Sequence, residues 1–449
     1  MPEKKPHILL LIDDEHRPDL MSVEGNPHIR TPTLDRLINQ GTYFRNAYTP
    51  APVCVPARQS FLTGLYPRNS GCTGFDCPLP SDVLTLPGHL SRYGYRAISA
   101  GKMHFVGTDQ MHGWHERIGR DIRGPNGYKP VDDPVHTAAA FTEEGTGKWS
   151  AAKEITNARV GKGSWMQQDR YTVEGALMIL DEYFVDEVHD RPGDRPLLLA
   201  VSLNCPHYPY QCPEDLFNYY MRRVEPYVED LPSNFDCHEF FKVKIGEDVT
   251  FREAHRATAA YYGMVEWVDM QYTRVISKLE EKDVLDEFVV VFLSDHGEML
   301  GQKGLWEKQQ YFEASVRVPF SISWQQRYPR GCDIVQHNVS LVDLFPTLCE
   351  IANVPIPDGL DGRSLVPLMD GRADGWRNEV YSELYHPFNG PSAMVKRDFL
   401  KYFRFEGKGW PDQLFDLAVD PGENHNLIDD AAYAGDLADL RAKLDAFLK

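Results

Sequence analysis

Phe288-Val-Val-Val-Phe-Leu293 is an unbroken apolar run that stops at Ser294-Asp295-His296, and three other segments share its form. Ile8-Leu-Leu-Leu-Ile12 ends in Asp13-Asp14. Tyr95-Arg-Ala-Ile-Ser99 runs into Gly101-Lys102-Met103-His104, and Leu197-Leu-Leu-Ala-Val-Ser-Leu203 ends near His207. An apolar run without alternation is what a strand needs when both its faces are covered. Helical patterns separate the runs, which predicts an α/β fold with a large, mostly parallel sheet flanked by helices. In open sheets of this kind, ligands bind beyond the carboxyl ends of the strands. Acids, histidines and a lysine stand there four times over, which predicts one shared site.

Outward from these runs, the helices are legible. Thr31 to Gly41 offers a Thr cap, Pro32 in the first turn, apolar Leu34, Leu37 and Ile38, and a terminating glycine. Residues 173–184, with Leu177, Leu180 and Phe184 on one face, predict another helix. Residues 105–170 are rich in Gly, Asp and Pro with weak periodicity, and they carry Trp114, Trp149 and Trp165. Such a stretch in a compact enzyme reads as a substrate-loop region. Strand patterns at 380–385 and 399–405, and a closing helix after Asp429, predict a small C-terminal α+β subdomain over 371–449. The catalytic unit then spans 1–370.

Composition excludes some partners. Asp and Glu number 66 against 47 Lys and Arg, a formal net charge of −19 over 449 residues. Nucleic acid and anionic membrane surfaces would repel such a chain. An anionic substrate would need positive charge supplied locally. The N-terminus is charged and runs into only a short apolar stretch, so no signal peptide is read and a cytoplasmic location is expected. Eight cysteines, at 54, 72, 77, 205, 212, 237, 332 and 349, fit no zinc spacing. They read as reduced thiols, with Cys72 and Cys77 able to pair in an oxidising compartment. Asn338-Val-Ser reads as a chance glycosylation match.

The segment Pro52-Val-Cys54-Val-Pro56-Ala-Arg58-Gln-Ser-Phe-Leu-Thr-Gly64 holds the chemistry. Pro56 suits the first turn of a helix running to about Thr63, capped by Gly64. Cys54 then lies just before a helix N-terminus, where unpaired N–H groups favour an anion. Arg58 lies one turn on, and its planar fork suits tetrahedral oxyanions. These residues alone predict an anion site beside a cysteine. A lone buried cysteine before a capped helix would be ordinary packing.

Cys54-Val-Pro56-Ala-Arg58 followed by Ser60-Phe-Leu62-Thr63-Gly64 resembles the motif of the formylglycine-dependent sulfatases, within the alkaline-phosphatase superfamily. The likeness extends to Asp13-Asp14, Gly101-Lys102-x-His104, Ser294-Asp-His-Gly-Glu298, Gly304-Leu-Trp-Glu-Lys308 and the Leu414–Leu427 stretch. It implies an alkaline-phosphatase-like sheet and oxidation of Cys54 to formylglycine by a maturation enzyme of the formylglycine-generating or anaerobic sulfatase-maturating kind. It also implies that Asp13, Asp14, Asp295, His296 and the oxygen at position 54 hold a metal. Carboxylates converging at strand ends would indeed repel one another without a divalent cation. Calcium is the first expectation. Because His296 stands where many family members carry Asn, and imidazole is less typical of calcium, manganese or magnesium stays open.

By the same resemblance, Arg58, Lys102 and Lys308 hold the hydrated aldehyde and the sulfate oxygens. His104 takes a proton as the aldehyde is regenerated, and His207 bonds the sulfate and the leaving oxygen. His112, His115, His255 and His337 read as structural. The implied reaction is attack of the hydrate on sulfur, loss of the alcohol, and collapse of the sulfated hemiacetal to sulfate. Two alternatives remain: a phosphonate monoester or phosphodiester hydrolase of the same superfamily, and a non-catalytic anion-binding homologue. The 101–117 stretch looks closest to choline-sulfatase and arylsulfatase members, so the expected substrate is an aryl, choline or sugar sulfate. The three tryptophans read first as core or loop-packing residues, with an aromatic wall around a quaternary ammonium as the alternative. The longer C-terminal tail with which choline-sulfatases complete pocket and oligomer is not seen here, and a homo-oligomer is left open.

Overall fold

The computed structural model describes residues 5–119, 150–185, 195–232, 234–328, 333–386 and 390–449. Its centre is an eight-stranded sheet. Across it run Asp333–Val335, Gly41–Phe44, Phe320–Ser323, Phe288–Ser294, His7–Asp14, Leu197–Pro206, Arg96–Gly101 and Glu116–Ile118. Phe320–Ser323 pairs antiparallel with both its neighbours, and the remaining pairings are parallel. The apolar runs are buried on both faces for a visible reason. Leu9 and Leu11 belong to one core cluster, while Ile8, Leu10 and Ile12 belong to the cluster on the opposite face.

The first of these clusters rests on two long helices. Phe251–Glu281 starts with a capping box between Thr250 and Glu253 and buries Ala257, Val265, Val268 and Ile276. Ser164–Tyr183 begins nine residues before the 173–184 pattern suggests. Its first turns are polar, but Asp169 there is buried and accepts from the Asn204 and Cys205 backbone N–H groups. That contact fixes the end of the strand leading to His207. The expected loop region 105–170 thus contains helices at Ala151–Thr156 and from Ser164, and its residues 120–149 lie outside the described ones.

Register aligns the strand ends. Asp13 pairs with Ser294, and Gly101 with Ser202. The His7–Asp14 register then shifts, so that Asp14 faces Pro206. Gly101 (φ +90°) approaches so closely that a Cβ would lie 2.0 Å from the Ser202 carbonyl oxygen. Gly41 differs from its expected role as a helix terminator. Gln40 caps the Pro32–Asn39 helix, and Gly41 opens a strand where a Cβ would lie 2.4 Å from the Ile322 carbonyl oxygen.

A second sheet is antiparallel and comprises Glu379–His386, Gly390–Arg397, Leu400–Phe405 and Gln413–Asp416. The Ala434–Phe447 helix covers one face through Leu437, Leu440 and Leu444. The other face packs Met394, Phe403 and Phe415 against Val53, Phe235 and Phe312. Asn338 is buried, its side-chain amide donating to the Asn378 and Asp398 carbonyls, so the glycosylation match is a structural asparagine. The seven described cysteines are free. Among the described residues, no helix is long and apolar enough to cross a membrane.

Candidate active site

Cys54 occupies the first turn of the Cys54–Thr63 helix rather than the position before it, because Val53 is the cap. Gly64 ends the helix in the left-handed region at φ 68°, as its type suggests. This placement aims the Cys54 side chain at the strand ends. Its Sγ lies 3.2 Å from His296 Nε2 and 3.7 Å from Asp14 Oδ1. Ligand atoms of Asp14, Cys54, Asp295 and His296, all buried, lie within 4.8 Å of one another.

This donor set suits a cation. His296 Nδ1 sits 3.0 Å from the Gly297 carbonyl oxygen, which places its proton there and leaves the Nε2 lone pair facing the cluster. Burial pushes the His296 pKa down, favouring the neutral ring that ligates. Asp13 stands just outside the convergent set. Its Oδ2 lies 2.6 Å from His16 Nδ1, while its Oδ1 is buried without a hydrogen-bond partner. Burial raises the Asp13 pKa, with His16 opposing. A buried oxygen left so is costly unless something else satisfies it, and a cation would.

Arg58 spends its N–H groups on the protein. Nε donates to Asp295 Oδ2 (2.7 Å), Nη1 to the Lys102 carbonyl and Ser202 Oγ (both 2.8 Å), and Nη2 to Asp14 Oδ2 (2.9 Å) and the Asp13 carbonyl (3.4 Å). Its fork therefore positions the carboxylates. Lys102 Nζ also donates to Asp14 Oδ2. Burial works against the Asp14 charge, yet Lys102, His207 and Arg58 hold its pKa well below the usual carboxylate range. Burial brings the Cys54 thiol up to about 12.

On the far side of Asp14 stand His207 and Lys308. His207 Nδ1 lies 2.7 Å from the Tyr208 carbonyl oxygen, so Nε2 faces the site, 4.0 Å from Asp14 Oδ1. Burial, then Lys308, hold its pKa well below the ordinary histidine value. Lys308 Nζ lies 5.3 Å from the Tyr208 ring centre. Burial opposes its charge, but Cys54, Glu15 and Asp14 keep its pKa well above the usual lysine value.

Glu15 is the residue that sequence reasoning missed. Its Oε2 accepts from Lys308 Nζ at 2.8 Å and lies 3.3 Å from His207 Nε2. Nothing in a Glu following two aspartates signals this, because the partners lie about 190 and 290 residues away. His104 is buried at φ 58°, its ring edge-on to Phe75 at 5.2 Å. Of the three tryptophans, the two described ones do not share a wall. Trp114 is buried in the core, Trp165 donates to the Tyr208 carbonyl (2.7 Å) beside His207, and Trp149 lies outside the described residues.

A family model described as Sulfatase matches residues 6–354, and one described as N-sulphoglucosamine sulphohydrolase, C-terminal, matches 301–449. Choline-sulfatase of Rhizobium meliloti (strain 1021) is 30% identical, over 98% of this chain and 86% of that protein. Arylsulfatase of Clostridium perfringens (strain 13 / Type A) is 29% identical, over 96% and 91%. A protein solved with its substrate D-glucosamine-2-N,6-O-disulfate superposes with a TM-score of 0.78 at 19% identity, covering 99% of this chain and 97% of its own. Phosphonate monoester hydrolase of Agrobacterium radiobacter gives a TM-score of 0.75 at 24% identity, over 98% and 96%. With its family match over most of its length, and with the cysteine, acid and base positions of the motifs drawn to one set of strand ends, the chain belongs to the sulfatase family.

Proposed function

We propose that this sulfuric ester hydrolase cleaves a sulfate monoester to an alcohol and inorganic sulfate, with Cys54 converted to formylglycine by a maturation enzyme. The observation that carries this reading is the meeting of Cys54 with Asp14, Asp295 and His296 on one side and with Lys102, Lys308 and His207 close by. Formylglycine at position 54 would supply a hydrated aldehyde, whose hydroxyl is the nucleophile. Because Cys54 is buried, its conversion precedes closure of this pocket.

Asp13, Asp14, Asp295, His296 and the oxygen at position 54 would hold a divalent cation, calcium first, with manganese or magnesium as alternatives because imidazole is less typical of calcium. Such a cation would offset the clustered carboxylates and polarise an oxygen bound to it. The remaining work falls to the chain's own side chains. Arg58 and Lys102 fix the Asp14 carboxylate, so that Oδ1 keeps its aim at position 54. Lys308 offers its ammonium to the sulfate oxygens, and His207 presents Nε2 toward the leaving oxygen. His104 is assigned the proton at position 54 when the aldehyde is regenerated. The alcohol is an aryl, choline or carbohydrate group, in keeping with the names of the relatives.

A second reading, a phosphonate monoester hydrolase, draws on the imidazole of His296 in the ligand set and on the superposition with such an enzyme. Two measurements decide. Mass spectrometry of the Cys54 peptide should show sulfur and two hydrogens exchanged for an oxygen. A screen of aryl sulfate, choline sulfate, sugar sulfates and phenyl phosphonate esters, ranked by kcat/KM, should place a sulfate ester first. Equal specific activity from wholly unconverted protein would remove formylglycine from the mechanism.

A further inference from the structure

The backbone of Glu15 lies at φ 66°, in the left-handed region where a long side chain costs energy. Four contacts keep it there. Its N–H donates to Asp295 Oδ1 (3.2 Å), and its carbonyl accepts from Tyr261 Oη. Its carboxylate, fully buried, reaches Lys308 and His207 through the single atom Oε2. A turn that needed only its conformation would be cheaper with Gly or Asn. The energy is spent on placing this carboxylate.

We infer that Glu15 is a positioning residue, whose Oε2 clamps the Lys308 ammonium and His207 Nε2 side by side at the leaving oxygen. The inference rests on the sulfatase reading above. His207 Nδ1 is committed to the Tyr208 carbonyl, so one proton lies between His207 Nε2 and Glu15 Oε2 when the two bond. Glu298, which faces Glu15, anchors its own Oε1 on the Leu300 and Glu307 N–H groups at 2.7 and 2.6 Å. In the reaction, the S–O bond to the alcohol breaks and its electron pair goes to the leaving oxygen. The proton shared by His207 Nε2 and Glu15 Oε2 moves to that oxygen, while Lys308 remains protonated beside it. The incoming hydroxyl oxygen at position 54 forms the new bond to sulfur as its proton passes toward Asp14 Oδ1, which faces that position.

The test is the leaving-group dependence of kcat/KM for a series of substituted phenyl sulfates, using matured, metal-loaded enzyme. Glu15→Gln should lose roughly a hundredfold on esters of weakly acidic phenols and under about tenfold on 4-nitrophenyl sulfate, steepening the dependence. Glu15→Gly accepts the left-handed backbone without strain and removes the clamp, so it should show the same steepening if Glu15→Gln folds poorly. A merely structural role would lower every ester alike. Parallel lines for wild type and both variants would overturn the inference while leaving the sulfatase reading intact. A wild-type enzyme that turns over no phenyl sulfate and no other sulfate ester would overturn both.

Discussion

At the scale of single residues, the site is organised by what each charge must touch to be tolerated inside the protein. Arg58 is buried, and it divides its donors between two carboxylates, two carbonyls and a hydroxyl. Removing it would leave Asp14 and Asp295 facing each other with a partner gone. Arg58→Ala should therefore lower the unfolding free energy by about 3–5 kcal/mol, read from urea titration. Arg58→Lys should recover little, because an ammonium cannot reproduce the fork. Wild-type stability in the lysine variant would show that charge alone suffices. Cys54, Arg58, Lys102 and Asp295 were legible because each sits in a short motif at a strand end or helix start. Glu15 was not, since its meaning lies in a backbone angle and in bonds to Tyr261, Lys308 and Asp295 that no local spacing reveals.

Elements carry these residues into register. The buried strands were readable because both faces need apolar side chains, which leaves a run that few other structures produce. The start of the Ser164–Tyr183 helix was not, because its buried Asp169 serves a strand end and so breaks the apolar pattern. The strand Glu379–His386 poses a similar case at its last residue. Burial first, then His238 and Lys408, bring the His386 pKa down to about 3. A histidine depressed in the folded state binds fewer protons there than in the unfolded chain. Stability from keeping it neutral is thus complete above about pH 6.5 and is lost as pH falls toward the folded value. Between pH 6.5 and 5, wild type should lose up to about 1.4 kcal/mol per pH unit more than His386→Phe, whose ring can pack toward Phe241. Thermal or urea unfolding across that range checks it. Parallel pH profiles would mean that His386 does not drive the acid lability.

For the whole molecule, the question is how the C-terminal sheet belongs to the site. The sheet buries Lys401 completely, and its Nζ reaches Glu313 on the helix Glu313–Val316 (2.9 Å) and also Glu423. Burial would raise Glu313, yet Lys401 brings its pKa down to about 2, so the pair is ionised at neutral pH. Nearby, Phe403 and Phe415 pack on Phe312, one residue before that helix, and Val53 caps the helix of Cys54 within the same apolar cluster. The seam is therefore continuous with the candidate active site. Arg68 extends it, bonding Glu383 on the sheet (3.0 Å) and the Phe447 carbonyl on the closing helix. A boundary near residue 370 follows the sequence patterns, but packing of this kind predicts that the two parts unfold together. Lys401→Met leaves Glu313 and Glu423 buried without their shared cation, which should cost about 3–5 kcal/mol. Adding Glu313→Gln should return part of that loss, since it removes one of the two carboxylates that Lys401 held together, leaving Arg317 (3.4 Å from Glu313) as the neighbouring cation. In a denaturant series, tryptophan fluorescence and loss of sulfatase activity should move to lower midpoint together in Lys401→Met. Were the activity transition to stay at its wild-type midpoint while the fluorescence transition split in two, the C-terminal sheet would be an independent folding unit rather than part of the catalytic body.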